Sequence, residues 1–130
     1  MVSKRILVID DNPKICETML ILLKSIGMNA SAATTGTDGL RKAFQEKPDL
    51  ILLDVLLPDV SGRTVLEQIR TNPRTCNTSV AIFSSQVDSA VHLRERAMDV
   101  DGYLGKPFKM DELHTLIDKL TTSKLAEKLP

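Results

Sequence analysis

The sequence predicts an α/β fold in which five parallel strands form one sheet with helices on both faces. Short apolar runs alternate five times with segments whose apolar residues recur at helical spacing. The strongest runs, residues 5–9 and 49–53, are continuously apolar after a charged first residue, which is typical of strands buried on both faces. The length of 130 residues fits one domain.

The first half of the chain contains two strand–helix units. Residues 5–9 (RILVI) form the first strand, and from Pro13 the apolar residues fall at helical spacing until Gly27 closes the helix. Residues 28–33 are a weakly marked strand because they are mostly small. A helix over residues 37–46 follows and ends before a proline.

The second half continues the same alternation. In chain order it contains a strand at 49–53, a helix at 63–70, a strand at 80–83, a helix at 88–98, a strand at 101–104 and a helix from about Asp111. From Thr121 the chain becomes polar, which predicts fraying or the start of a linker. We therefore expect one domain over residues 1–122 and a polar tail over residues 123–130.

Composition excludes several classes of protein. The 17 basic and 17 acidic residues give a net charge of zero, which argues against a domain that coats nucleic acid or a membrane surface. No apolar run is long enough to span a membrane, and the apolar stretch near the N-terminus is too short for a signal peptide. Two distant cysteines, Cys16 and Cys76, predict reduced thiols in a cytoplasmic protein.

Polar residues end four of the predicted strands. Asp10 and Asp11 follow the first strand, Asp54 the third, Ser84 the fourth and Lys106 the fifth. Ligands of open α/β sheets bind beyond the carboxyl ends of the strands, so these side chains should meet. Two carboxylates at 4 Å repel by about 4 kcal/mol at an effective dielectric near 20. Either some of the acids are protonated or a cation such as Mg²⁺ lies among them.

Each of these signals alone has an ordinary structural explanation. The paired acids, or Asn12 after them, could cap the next helix. Asp54 could be a turn residue, Ser84 a loop hydroxyl and Lys106 a solvated charge. Only their joint placement at one sheet edge favours a functional site.

Five stretches of the chain together resemble response-regulator receiver domains of two-component phosphorelays. The resemblance extends over roughly residues 5–120 and implies a flavodoxin-like (βα)5 fold with strand order 2-1-3-4-5. The matching stretches are 6–11 (ILVIDD), 48–54 (PDLILLD), 57–62 (LPDVSG), 83–85 (FSS) and 102–108 (GYLGKPF).

The resemblance implies a phosphoacceptor and a metal site. Asp54 would accept the phosphoryl group. Asp11 would bind Mg²⁺ directly, Asp10 mostly through water, and Asp54 and the backbone carbonyl of Leu56 would complete the protein ligands, with Mn²⁺ as an alternative ion.

The resemblance also implies a switch. Ser84 would hydrogen-bond a phosphoryl oxygen, and Lys106 would pair first with Asp54 and then with the phosphoryl group. The Lys106–Pro107 peptide bond would be cis, and Tyr103 matches the aromatic switch position. The face formed by the helix at 88–98, the fifth strand and the last helix would then change.

The implied donor is a phosphohistidine on a sensor histidine kinase or a histidine phosphotransfer protein, in a bacterial cytoplasm. The receiver would catalyse its own phosphorylation and dephosphorylation but act mainly as a switch for an unknown output partner or fused output domain, without binding nucleic acid or membrane itself. Three alternatives stay open. The first is a Mg²⁺-dependent hydrolase, although such enzymes usually carry a second acid two residues after the nucleophile, where this chain has Leu56. The others are a degenerate receiver that works by binding alone and a nucleotide-binding domain, although no glycine-rich loop follows the first strand.

Overall fold

One parallel sheet of five strands organises the computed structural model, which describes residues 4–85 and 100–127 and side chains as far as residue 121. The strands are β1 (Arg5–Ile9), β2 (Asn29–Ala33), β3 (Leu50–Leu53), β4 (Ser79–Ser84) and β5 (Gly102–Gly105). Their order across the sheet is β2-β1-β3-β4-β5, which confirms the predicted order. The weakly marked strand is also confirmed, since β2 pairs with β1 along its whole length.

Four described helices connect or follow these strands. They are α1 (Pro13–Ser25), α2 (Gly36–Glu46), α3 (Gly62–Thr71) and α4 (Met110–Glu127). The helix predicted at 88–98 lies outside the described residues. Within residues 4–85 and 100–127, none of the helices is both long and apolar enough to cross a membrane.

Side-chain caps set where the helices begin. The Thr35 hydroxyl accepts a hydrogen bond from the Asp38 backbone, and the Ser61 hydroxyl accepts one from the Thr64 backbone. Both helices therefore start directly after their cap, slightly earlier than the apolar spacing predicts. At the end of α1, Gly27 adopts a φ of 85°, a left-handed conformation that glycine reaches without strain, as the sequence predicts.

Two apolar clusters cover the two faces of the sheet. Successive residues of β1, β3 and β4 alternate between them, as the pleat of a strand requires. One cluster lies under α1 and α4, and its buried members are Ile6, Val8, Met19, Leu23, Leu50, Leu52, Ala81, Phe83, Leu104, Leu113, Ile117 and Leu120. The other lies under α2 and α3 and contains Leu7, Ile9, Ala43, Ile51, Leu53, Val65, Leu66, Ile69, Val80 and Ile82. Burial on both faces explains the continuously apolar strands.

Hydrogen bonds from Arg70 and Asp101 connect the amino ends of the last two strands to α3. The Arg70 guanidinium, on α3, donates to the Thr78 backbone oxygen at 2.6 Å and to Asp101 Oδ2 at 3.0 Å. Asp101 Oδ2 in turn accepts a hydrogen bond from the Val80 backbone at 2.8 Å. The Asp101 backbone also donates to the Val80 carbonyl at 2.8 Å, and β5 begins directly after Asp101, one residue later than predicted.

The last helix runs further than its apolar face indicates. The polar stretch from Thr121 continues as helix to Glu127, where fraying or a linker was expected. A helix can continue over polar residues because its hydrogen bonds are internal to the backbone. The domain boundary predicted after residue 122 therefore falls within α4 and stays a prediction.

Candidate functional site

Three acidic side chains meet at the carboxyl edge of the sheet. Asp10 follows β1 and Asp54 follows β3, and these two strands are neighbours. Ligand oxygens of Asp10, Asp11 and Asp54 all lie within 4.8 Å of one another. Asp10 is fully buried, Asp54 is 7% exposed and Asp11 is exposed. The sequence expectation that these residues converge therefore agrees with the geometry.

The helix-cap explanation of the paired acids does not hold in the structure. Asn12 caps α1, because its side-chain oxygen accepts hydrogen bonds from the backbones of Lys14 at 2.9 Å and Ile15 at 3.3 Å. Asp10 instead accepts a hydrogen bond from the Asn12 backbone at 2.9 Å through Oδ1. The helix is thus capped without Asp10 or Asp11, whose carboxylates remain at the sheet edge.

Lys106 brings a positive charge to the acids from the end of β5. Its backbone N–H donates to the Ser84 carbonyl at 3.0 Å, which extends the pairing of β4 and β5 by one residue. Its ammonium donates to Asp10 Oδ2 and lies 3.6 Å from Asp54 Oδ2. The same nitrogen lies 4.6 Å from the centroid of the Phe83 ring, where a cation is attracted to the aromatic face. The following peptide bond, to Pro107, is cis.

The surroundings of Asp54 raise its pKa above the ordinary value for an aspartate. Burial is the main cause, because it disfavours the charged form. A hydrogen bond of 3.1 Å from the Leu56 backbone to Asp54 Oδ1 acts in the opposite direction, as does the Lys106 charge. The negative charges of Asp10 and Asp11 add to the rise in pKa.

The two residues expected to form a switch lie on the strands next to the acids. Ser84 is the last residue of β4 and is buried. Tyr103 lies in β5 opposite Ile82, and its partly buried side chain packs against the cluster under α2 and α3. The two residues therefore belong to adjacent strands, close to where Lys106 enters the site.

The loop between β3 and α3 contains a contact that sequence reasoning missed. Asp59 Oδ1 accepts a hydrogen bond from the Gly36 backbone at 2.8 Å, and Oδ2 accepts from the Thr37 backbone at 2.9 Å and its hydroxyl at 2.6 Å. The hydrogen bonds from Thr37 and then Gly36 hold the pKa of Asp59 well below its usual range. Asp59 lies in one of the stretches that carry the resemblance, but no sequence pattern indicates its partner on α2.

The donor set fits a divalent cation. Three carboxylates and one lysine leave two negative charges in excess, which is the charge that a divalent ion neutralises. Hard oxygen ligands of this kind suit Mg²⁺, which proteins usually hold through one or two carboxylates together with waters.

Comparison with known proteins places the chain in a family. The sequence model of one protein family, described as "Response regulator receiver domain", matches residues 6–118. The "DNA-binding dual master transcriptional regulator RpaA" of Synechocystis sp. is 36% identical over 109 residues, covering 84% of this chain and 45% of that protein. The "Sensor histidine kinase AtsR" of Burkholderia thailandensis is 34% identical over 116 residues, covering 88% of this chain and 19% of that protein. The chain thus spans less than half the length of either relative.

A solved structure shows the same fold. It is the receiver domain of a sensor histidine kinase from Pseudomonas aeruginosa, described with a magnesium ion coordinated in its active site cleft. Its TM-score is 0.86 at 23% identity, and the match covers 93% of this chain and 99% of that one. Since the family model spans nearly all of the sheet and the sheet order agrees, this chain belongs to the response regulator receiver domains of two-component signalling systems.

Proposed function

We propose that Asp54 accepts a phosphoryl group from a phosphohistidine of a sensor histidine kinase or a histidine phosphotransfer protein, with Mg²⁺ bound beside it. One observation carries the proposal. The buried Asp54 carboxylate lies within 4.8 Å of Asp10 and Asp11 ligand oxygens and has the Lys106 ammonium 3.6 Å away. This arrangement combines a nucleophile, a cation site and a fixed positive charge at one edge of the sheet.

The chemistry assigned to Asp54 is nucleophilic. One of its carboxylate oxygens forms the new P–O bond while the P–N bond to the donor imidazole breaks, and the imidazole takes up a proton. Charge develops on the transferring phosphoryl oxygens, so transfer depends mainly on positioning and neutralisation. Lys106 is placed to pair with one of those oxygens, and we assign the Ser84 hydroxyl to donate a hydrogen bond to another.

The metal ligands proposed for this chain are Asp10, Asp11, Asp54 and the backbone carbonyl of Leu56. When bound there, Mg²⁺, or Mn²⁺ in its place, supplies neutralisation of the phosphoryl charge. The Leu56 N–H already bonds Asp54, so this residue links the acceptor to the following loop.

The output we propose is a change of the surface formed by β5, α4 and the predicted helix at 88–98, transmitted through Ser84 and Tyr103. Relatives of the chain include a protein described as a transcriptional regulator and one described as a sensor histidine kinase. We propose that this receiver acts in the cytoplasm on an output partner or a fused output domain of one of these kinds. The domain itself is proposed to bind neither nucleic acid nor membrane.

Intact-mass measurement with a small phosphodonor tests the proposal. We expect the wild-type chain to gain one phosphoryl group in the presence of Mg²⁺ and none after chelation. Asp54→Asn should gain none under either condition. Asp118→Asn, the same change at an exposed position of α4, serves as the matched control and should behave as wild type.

Two results would contradict the assignment. Phosphorylation of Asp54→Asn to the wild-type extent would place the acceptor elsewhere. Continuous turnover of a phosphate ester would favour the hydrolase alternative.

A further inference from the structure

The loop that follows the phosphoacceptor is tied to a helix that takes no part in the proposed chemistry. We call residues 55–61 the acceptor loop. Both carboxylate oxygens of Asp59, in this loop, accept hydrogen bonds from Gly36 and Thr37 in the first turn of α2, at 2.6 to 2.9 Å. Three donors thus converge on one carboxylate, from residues more than twenty positions earlier in the chain.

Close packing accompanies these hydrogen bonds. A Cβ atom on Gly36 would lie 2.2 Å from Val60 Cγ2, closer than any real contact allows. The first residue of the loop, Val55, is also closely packed, since a Cβ on Gly62, at the start of α3, would lie 2.6 Å from Val55 Cα. The Gly62 backbone also donates to the Val55 carbonyl at 3.0 Å. The acceptor loop is therefore pressed against a glycine at the start of α2 and another at the start of α3.

The cap of α2 by Thr35 leaves two N–H donors of the first turn to Asp59. That helix already has Thr35 as its cap, with the Thr35 hydroxyl accepting from the Asp38 backbone at 3.1 Å. The two N–H groups that reach Asp59 belong to the residues before Asp38. Asp59 satisfies these remaining donors from outside the helix, so its contact fixes the loop as much as the helix.

The position of the loop matters because the loop carries atoms of the proposed site. The Leu56 N–H donates to Asp54 Oδ1, and the Leu56 carbonyl is a proposed metal ligand. Leu56 has little packing of its own to hold it, since its side chain is 63% exposed. The hydrogen bonds to Asp59, three residues further on, hold the loop to the first turn of α2.

We propose that Asp59 is a positioning residue that anchors the acceptor loop on α2 and thereby holds Leu56 where it supports metal binding beside Asp54. The inference rests on the proposed function of Asp54 and adds to it a second helix, α2, as the support of the metal site. Residues that orient metal ligands commonly change metal affinity when they are replaced.

Two measurements on the metal-free and metal-titrated protein test the role of Asp59. The first is the hydrogen-exchange rate of the Leu56 amide, followed by NMR. The second is the Mg²⁺ concentration that half-saturates the amide shifts of the site. In Asp59→Ala we expect faster Leu56 exchange and a half-saturating Mg²⁺ concentration raised roughly tenfold.

A matched variant separates positioning from charge. Asp38 lies in the first turn of α2, the turn that Asp59 contacts, but its carboxylate pairs with Arg41 and not with the acceptor loop. Asp38→Asn therefore removes one negative charge there without removing a contact to the loop. It should leave Leu56 exchange and Mg²⁺ affinity at wild-type values. Asp59→Asn, which keeps one acceptor oxygen, should fall between wild type and Asp59→Ala.

The outcomes that would overturn the inference are distinct. Wild-type Leu56 exchange and Mg²⁺ affinity in Asp59→Ala would show that the loop does not depend on this carboxylate. An equal loss of affinity in Asp38→Asn would assign the effect to charge alone. If the wild-type chain takes up no phosphate, the proposed function fails, whereas the exchange and Mg²⁺ titrations still decide the role of Asp59.

Discussion

At the scale of single residues, the chemistry of the site is in conflict with folding stability. Asp54 is nearly buried, faces two further acids, and has a raised pKa because its charged form is poorly solvated. Lys106 and the Leu56 N–H offset only part of this cost. The nucleophile proposed at Asp54 must nevertheless be ionised to attack phosphorus, so the proposed function requires a charge that disfavours the native state.

Replacing Asp54 by Asn is therefore expected to stabilise the metal-free protein at neutral pH. The folded-state pKa of Asp54 lies above the unfolded value, so the native state binds the proton more tightly. The stabilisation from that proton is complete below the unfolded pKa of about 3.9 and is lost as the pH rises through the folded pKa. At pH 7 the variant should melt a few degrees higher, which corresponds to about 1 kcal/mol in a domain of this size.

Thermal unfolding over a series of pH values measures this effect. The advantage of Asp54→Asn over wild type should shrink as the pH falls and disappear near the unfolded pKa. Asp118→Asn, at an exposed position, provides the control for the loss of one charge. An Asp54→Asn protein that melts no higher than wild type at neutral pH would refute the burial argument.

Leu56 should influence how long the phosphoryl group persists. Hydrolysis requires a water aligned with the phosphorus, and the exposed Leu56 side chain offers it no hydrogen bond. Leu56→Asn should speed loss of the phosphoryl group about fivefold, the equivalent of one net hydrogen bond of about 1 kcal/mol. Decay of the phosphoprotein after removal of the donor measures the rate. Leu56→Ala is the control, since it shortens the side chain without adding a hydrogen-bonding group. An equal acceleration in both variants would show that easier access of water to the phosphoryl group, and not alignment of a water, causes the effect.

At the scale of secondary-structure elements, the strands deliver the site and the loops complete it. β1 and β3 are adjacent and are followed directly by Asp10 and Asp54, while Lys106 directly follows β5. The Lys106 ammonium reaches Asp10 across a sequence separation of 96 residues. The lysine thus connects the last strand to the acids, which makes β5 the element best placed to respond when the charge at Asp54 changes.

Lys106→Ala is expected to uncouple phosphorylation from the structural response. The chain has one tyrosine and no tryptophan, so its intrinsic fluorescence reports on Tyr103 alone. Phosphorylation should change that fluorescence in wild type and leave it nearly unchanged in Lys106→Ala, with the phosphorylated fraction confirmed by intact mass. Lys119→Ala, at an exposed position of α4, is the control. The same fluorescence change in fully phosphorylated Lys106→Ala would exclude the lysine from the coupling.

The elements were largely predictable from sequence, and the contacts between them were not. Continuous apolar runs fixed β1 and β3, because a strand buried on both faces leaves a simple pattern. Helix starts depend on caps such as Ser61, and Asp101, next to β5, is bound by a side chain from α3 that lies about thirty residues earlier in the chain. The acids could be placed at one edge because strand ends converge in a parallel sheet. The hydrogen bonds from α2 to Asp59 could not be predicted, because the acceptor loop and the start of α2 share no sequence pattern and meet only in the folded chain.

At the scale of the whole molecule, the two ends of the sheet are built differently. The amino ends of β4 and β5 are fastened through Arg70 and Asp101. The carboxyl ends carry the acids, Lys106 and the acceptor loop, where an added phosphoryl group would change the local charge. A rearrangement that begins at the carboxyl ends can therefore propagate along β5 while the opposite end keeps its contacts.

Tyr103 should determine how far such a rearrangement spreads. Its half-buried ring packs against the cluster under α2 and α3, and a change in its burial involves about 1–3 kcal/mol. We expect phosphorylation of wild type to shift amide resonances along β5 and α4. In Tyr103→Ala the shifts should stay within the site, and Tyr103→Phe, which keeps the ring, should resemble wild type. Equally extensive shifts in Tyr103→Ala would remove the tyrosine from the switch.

The alternation of β1, β3 and β4 between two apolar clusters limits which insertions and deletions the chain can accept. Removing one residue from within β3 would exchange the faces of the residues beyond it and draw Asp54 back by one position. Burial of polar residues would not oppose this shift, because both faces of the strand are apolar. The shift would instead disrupt the packing of both clusters and the alignment of Asp54 with Asp10. Length variants of this protein that still function should therefore keep the residue count of each central strand and differ in the connections between the elements.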